Sequence, residues 1–165
     1  MKRWYVIHCQ RNDEQKAVFN LRNQGYKVYF PYYMKVRRHA RRVEHVKAPL
    51  FPRYIFVEMD LETSRWHPIR STVGVSGLVK QGNLPVPVPE GVVEEIQARQ
   101  REHGTALPVW SFKEGDKVKI TNGALFERVG LFHTIDDNQR VVMLLKLLGR
   151  EIKIRVPRED VQVCA

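Results

Sequence analysis

Cysteine is almost missing from this chain. Of 165 residues only Cys9 and Cys164 carry thiols, one near each end. That excludes a disulfide framework and any Cys-x-x-Cys redox or zinc site, and both thiols are expected to be reduced. No apolar run approaches the ~20 residues that a membrane span needs. The basic start, MKRWYVIHCQ, has too short an apolar stretch for a secretory signal and no small-residue cleavage site. A cytoplasmic protein with no membrane partner is expected. Catalytic spacing is missing too: the sequence has no HExxH or His-x₃-His pair, no GxSxG elbow and no phosphate-cradling glycine loop. The six histidines are scattered. These absences point away from an enzyme, and neither a cofactor nor a metal is expected.

Acidic residues are scarce in one region only. Residues 1–47 hold 12 Lys/Arg against 3 Asp/Glu, a net of +9, whereas the rest hold 16 against 15. Nearly all of the overall +10 therefore sits in the first third. A field so confined implies a polyanionic partner, nucleic acid first among them. A solvated, solubilising surface is the plainer account of the same charges. Hydrophobic residues make up 43 % of the chain, enough for a core in one ordinary domain or two small ones.

RWYVIHC reads as a first strand, with Trp4, Val6 and His8 on one face and Tyr5, Ile7 and Cys9 on the other. Asn12 offers an N-cap, Gln15 completes a capping box, and Ala17, Val18 and Leu21 form the apolar stripe of a helix that Gly25 stops. YKVYFPYYMKV is an aromatic strand, RRHARR a hairpin tip before VEHVK, and RYIFVEM the next strand. ETSRWHPIRS suggests a short helix limited by Pro68, GVSGLVK a strand and QGNLPVPVP a turn-rich loop. Pro89 sits near the start of a helix running to about Arg101. The order β-α-β-β-β-α-β-α predicts an α+β fold, an antiparallel sheet with helices on one face.

Within PLFPRYIFVEMD (residues 49–60) the pattern conflicts with a half-buried strand, because both faces begin apolar. Ile55 and Val57 are expected to face the helices. Tyr54 and Phe56 then lie on an uncovered, aromatic side that either completes a core or awaits a partner.

The composition changes near residues 102–110, which read as a linker. GDKVKIT, VGLFHTI, RVVMLLKLL and EIKIRV follow, separated by turn residues, and residues 111–165 are expected to form a small β-barrel. One piece is ambiguous: Val141, Leu144, Leu145 and Leu148 fit a helix face, and Gly149 ends a helix as readily as it makes a turn. Strand is the reading adopted for it.

Two polar constellations stand out. Lys35, Arg37, Arg38, Arg41, Arg42 and Lys47 crowd one hairpin, where guanidinium and ammonium groups suit phosphates rather than base edges. A flexible solvated tip is the alternative. His39 and His45 flank that tip and belong with it rather than to a metal site.

The order of elements, PLFPRYIFV, STVGVSGLV, and a terminal GDKVKITNG with Gly130 seven residues after Gly123 together resemble the NusG family of transcription elongation factors. Residues 1–101 resemble its amino-terminal (NGN) domain and 111–165 its KOW domain, an SH3-like barrel. The early first strand and the short connection after the first helix look closer to the specialised RfaH-like branch. Two departures are visible: Arg128-Val129 replace the usual aromatic and polar pair, and Arg65-Trp66-His67 stand where that branch tends to carry a His-Thr-Thr stretch.

The resemblance implies an apolar patch that binds the clamp helices of the largest RNA polymerase subunit. Carried over by position it comprises His8, Phe51, Tyr54, Phe56, Val93 and Ile96, although an ordinary core role for Phe51 and Phe56 stays open. It also implies contact with non-template DNA of the transcription bubble through Gln10, Asn20, Asn23, Gln24, Thr72 and Val73, for which a plain polar face is the alternative. The implied function is a monomeric elongation and antitermination factor that bridges the polymerase cleft, favours the closed clamp and suppresses pausing. Its KOW domain would recruit Rho or the ribosomal protein NusE. Some RfaH-like members instead hold the KOW segment as a helical hairpin that masks the clamp-binding patch. Two other readings remain: an RNA- or ribosome-binding KOW module without polymerase contact, and a housekeeping NusG acting at most genes.

Overall fold

The computed structural model describes residues 1–102 and 136–149. Its centre is a four-stranded antiparallel sheet in the order β2-β5-β1-β6, made of β1 (Arg3–Cys9), β2 (Lys27–Tyr29), β5 (Tyr54–Met59) and β6 (Val75–Leu78). The two middle strands pair Val6 with Phe56, Ile7 with Ile55 and His8 with Tyr54. Beyond β6, Val79 and Val88 donate to the Val6 and Trp4 carbonyls, which keeps the edge of β1 hydrogen-bonded.

Period-two alternation divides β1 and β5 between two cores. Tyr5, Ile7, Cys9, Ile55, Val57 and Met59 join Ala17, Val18 and Leu21 of helix α1 (Glu14–Asn23), with Ile69 and Val75. On the opposite face Trp4, Val6 and Phe56 join Leu50, Phe51 and Val79, with Val92, Val93 and Ile96 of α2 (Val92–Glu102). The sheet therefore carries helices on both faces. That corrects the expectation of a one-sided sheet: a strand apolar on both faces needs a cover on each, since about 25 cal/mol per Å² is lost for apolar area left in water.

Most boundaries follow from local chemistry. Gly25 ends α1 at φ +91°, its N–H donating to the Arg22 carbonyl at 3.0 Å. The predicted Asn12 cap is not used: Asn12 sits at φ +63°, and the N-cap is Asp13, without a side-chain cap bond. Pro68 falls in the first turn of a short 3-10 helix, His67–Ser71. The supposed loop QGNLPVPVP contains part of a small hairpin, β7 (Lys80–Gln81) with β8 (Leu84–Pro85).

Strands β3 (Tyr32–His39) and β4 (Arg42–Pro49) form a separate two-stranded hairpin, closed at Ala40-Arg41. Both turn residues have positive φ, +45° and +68°, the sign at both central residues that a type I′ turn uses to match strand twist.

A second correction concerns residues 137–147. The predicted barrel strand RVVMLLKLL lies in a helix, α3 (Asp137–Leu147). Asp136 caps it through a reciprocal box with Gln139: the Gln139 N–H donates to Asp136 Oδ1 at 2.8 Å, and the Asp136 N–H to Gln139 Oε1 at 3.2 Å. Gly149 follows the last turn at φ +72°. The other predicted barrel strands, GDKVKIT, VGLFHTI and EIKIRV, and the linker lie outside the described residues.

Candidate functional site: an apolar surface beneath a docked helix

The six apolar candidates converge on one face. Phe51 meets Phe56 edge to face at 5.8 Å between ring centroids, and His8 stacks on Tyr54 at 4.8 Å. Val93 and Ile96 complete the floor from α2. The chain reaches this geometry through the LFPRY turn, where the Tyr54 N–H donates to the Phe51 carbonyl at 3.0 Å and Arg53 takes φ +71°. Phe51, Phe56, Val93 and Ile96 are fully buried, while His8 and Tyr54 are half-buried. The predicted uncovered aromatic face is thus covered, and α3 is part of its cover.

From α3 and the turn that follows it, Leu144, Leu145 and Leu148 enter the same cluster as Phe51 and Phe56, and Val141, Met143 and Leu147 pack at its margin. A polar fastening accompanies them. Arg140, only 4 % exposed, donates from Nε to the Leu50 carbonyl at 2.8 Å, and its guanidinium lies 4.5 Å from the centre of the Tyr33 ring. Arg140 also pairs with Asp137, whose Oδ1 accepts a 2.9 Å bond from the Tyr33 hydroxyl. A buried guanidinium is tolerated only when partnered this fully. Burial pushes the Tyr33 hydroxyl above its usual range, and its bond to Asp137 adds to the shift. Sequence reasoning missed Tyr33, Leu50, Asp137 and Arg140. The available signal was the Asp136…Gln139 box ahead of an apolar stripe that ends at Gly149.

The basic candidates Lys35, Arg37, Arg38, Arg41, Arg42 and Lys47 are all exposed on the β3–β4 hairpin. Pairing sets Arg38 opposite Val43 and Met34 opposite Lys47, with Arg37 opposite Glu44 and His39 opposite Arg42 on alternate positions. Both faces of the ribbon are therefore cationic, which suits a partner that runs along it. Lys47 additionally lies 4.6 Å over the Tyr32 ring.

The third set gathers around Gly74. A Cβ there would meet the Ala17 backbone nitrogen at 2.9 Å and the Asp13 carbonyl at 3.1 Å, and φ is +95°. Glycine thus lets the Thr72–Val75 loop rest on the start of α1. Gln10 donates from its backbone to the Gly74 carbonyl at 2.8 Å, Asn20 from Nδ2 to the Val73 carbonyl at 3.1 Å, and Gln24 from Nε2 to Thr72 Oγ1 at 2.9 Å. The structure brings these residues together, but three of the polar groups already hold the loop to α1. Thr72 is buried, and Val73, Asn23 and the Gln10 side chain face solvent.

Among the described residues no group of three or more His, Cys, Asp or Glu is set to hold a metal ion. None of the described helices is long and apolar enough to cross a membrane.

Residues 2–97 match the family model described as "NusG: Transcription termination factor nusG". The chain belongs to the NusG family. Among its relatives, the transcription termination/antitermination protein NusG of Thermus thermophilus is 27 % identical over 93 % of this chain and 94 % of that protein. The protein of the same name from Bacillus subtilis is 26 % identical over 94 % of each. A solved structure described as "Domain interaction in Thermotoga maritima NusG" aligns at 27 % identity over 75 % of this chain and 68 % of that one, with a TM-score of 0.40. NusG-family proteins are transcription factors that work with RNA polymerase, not enzymes.

Proposed function

We propose that this NusG-family chain is an elongation and antitermination factor of the RfaH-like kind. Its first domain binds the polymerase clamp helices through the surface of His8, Phe51, Tyr54, Phe56, Val93 and Ile96. There it holds the clamp closed and suppresses pausing. The observation that carries this reading is α3, an amphipathic helix of the chain itself seated on that surface. A face that one helix can cover suits a helical partner, with aromatic rings as anchors. In the resting chain α3 masks the face. The partner gains access only if its differential affinity exceeds the stability of docking.

On the same reading the β3–β4 hairpin runs along phosphates, and the Gln10, Asn23 and Val73 side of the Gly74 loop meets the displaced strand. Residues 111–165, released, act as a KOW domain that recruits Rho or NusE. The factor works in the cytoplasm as a monomer. The ambiguity of RVVMLLKLL, apolar at helical and at strand positions alike, supports two conformations for that segment.

A pull-down with purified polymerase core, with and without the isolated clamp helices as competitor, tests the contact. Retention that the helices abolish, and that Phe56→Asp destroys without loss of nucleic-acid affinity, is expected. The exposed cationic hairpin favours one other reading, an RNA- or ribosome-binding module. Under it, neutralising Arg37, Arg38, Arg41 and Arg42 removes the principal affinity and Phe56→Asp does not.

A further inference from the structure

A cavity of about 640 Å³ lies apart from the surface under α3, between the 3-10 helix His67–Ser71 and strand β6 with the turn of β7 and β8. Its wall includes Trp66, His67, Arg70, Lys80 and Asn83, and among the described residues no carboxylate lines it. The Trp66 and His67 rings stack at 4.0 Å and 25°, and Lys80 Nζ lies 5.2 Å from the Trp66 ring centre. One side of Trp66 packs against the core that contains α1, while the side chains of His67 and Arg70 are exposed.

We propose that this cavity is a binding site for one nucleotide of a single strand. The base would stack on the outer face of the exposed His67 ring, which Trp66 backs, its phosphates would pair with Arg70 and Lys80, and the Asn83 amide lies within the same wall to meet a base edge. Three observations converge on that chemistry. A stacked aromatic pair offers a flat apolar face that any base can cover. Arg70 and Lys80 supply positive charge beside it, with no carboxylate among the described lining residues. The volume falls in the ~300–1,000 Å³ range of small-ligand sites, wide enough for a nucleotide. The cationic hairpin differs, offering charge on both faces of a two-stranded ribbon.

The recess also adjoins the Gly74 loop. From Arg70 the chain passes through Thr72 and Val73 and returns to the recess at Ser76 and Gly77, so one segment lines both places. The assignment needs no polymerase contact and stands or falls separately from that reading.

Fluorescence anisotropy of the full chain with labelled dT₁₂ and rU₁₂ tests it across a salt series. Stacking is worth about 1–3 kcal/mol per base, so His67→Ala should weaken binding about 5-fold to over 100-fold. Trp66→Ala, which also disturbs the core, and the pair Arg70→Gln/Lys80→Gln are measured beside it, with thermal melting as a check on folding. The pair should lower the salt slope by about 1.4, the single-strand value for two phosphates. Ultraviolet crosslinking of a bromodeoxyuridine oligonucleotide should mark the peptide that carries Trp66 and His67. The DNA and RNA arms identify which strand the site prefers, and binding of either that these substitutions weaken supports it. Crosslinks confined to the β3–β4 hairpin would overturn the assignment, as would affinity within twofold of the parent for His67→Ala and the Arg70/Lys80 pair. Poly-glutamate of equal charge competing as well as the oligonucleotide would also overturn it, in favour of an acidic protein segment.

Discussion

Replacing Leu144 by Asp should detach α3 and leave the first domain folded. Leu144 is fully buried against the Phe51 and Phe56 cluster. With Leu145 and Leu148 it supplies most of the apolar hold, about 1.5–3 kcal/mol for each buried leucine before ordering costs. Losing the leucine side chain removes about 2–5 kcal/mol. Leaving an unpaired carboxylate among aromatic rings adds several kcal/mol more. The sum matches or exceeds the whole apolar hold, so at neutral pH the undocked state becomes the ground state. Native-state hydrogen exchange with residue resolution reads this directly. The Leu148 amide, which donates to the Leu144 carbonyl at 3.2 Å, and its α3 neighbours should lose protection. The β1–β5 amides of Ile7, Ile55 and Val57 should stay protected. Collapse of both groups together would instead mean that α3 belongs to one indivisible core and is not a removable cover.

Other substitutions probe the supports around this surface. Arg140→Ala removes the charged bond to the Leu50 carbonyl and the contact with Tyr33, and should weaken α3 docking by about 1.5–3 kcal/mol, measured as faster α3 exchange. Gly74→Ala forces a Cβ to 2.9 Å from the Ala17 nitrogen at positive φ, and should cost at least about 1–3 kcal/mol in chemical denaturation, with the Thr72–Val73 loop displaced from α1. Burial pushes the Cys9 thiol up to about 12 from 9.0, and Glu14 adds to the shift. In a Cys164→Ser background, disulfide reagents at pH 8 should therefore modify Cys9 only as the chain unfolds. Because the folded thiol holds its proton more tightly, its contribution to stability is full below pH 9 and is lost as pH rises towards 12.

How much of this was legible in the sequence varies by element. The β1 and β5 alternation, the α1 stripe and the basic hairpin tip were readable because period and turn chemistry are local. The two-sided covering of the sheet was visible only as a contradiction in PLFPRYIFVEM, since the strand pattern records that both faces are apolar but not what lies on them. Residues 140–148 were misread as a strand because these nine apolar-rich residues satisfy both periods. The capping box should have outweighed the alternation of the neighbouring EIKIRV. The fastening of Arg140 to Leu50 spans 90 residues, and no local pattern reports such a pair. The polar groups of Asn20, Gln24 and Thr72 were legible as one face, but their mutual bonds depend on how closely Gly74 lets the loop approach α1.

On the proposed function, the Phe51–Phe56 surface is shared, in turn, by α3 and by the polymerase clamp helices. Calorimetric titration of the isolated clamp helices into the full chain, Leu144→Asp and Leu144→Asp/Phe56→Asp tests it most directly. Weak binding by the parent chain, binding at least tenfold tighter by Leu144→Asp, and none by the double variant are expected. Equal affinity of all three for the clamp helices would contradict it.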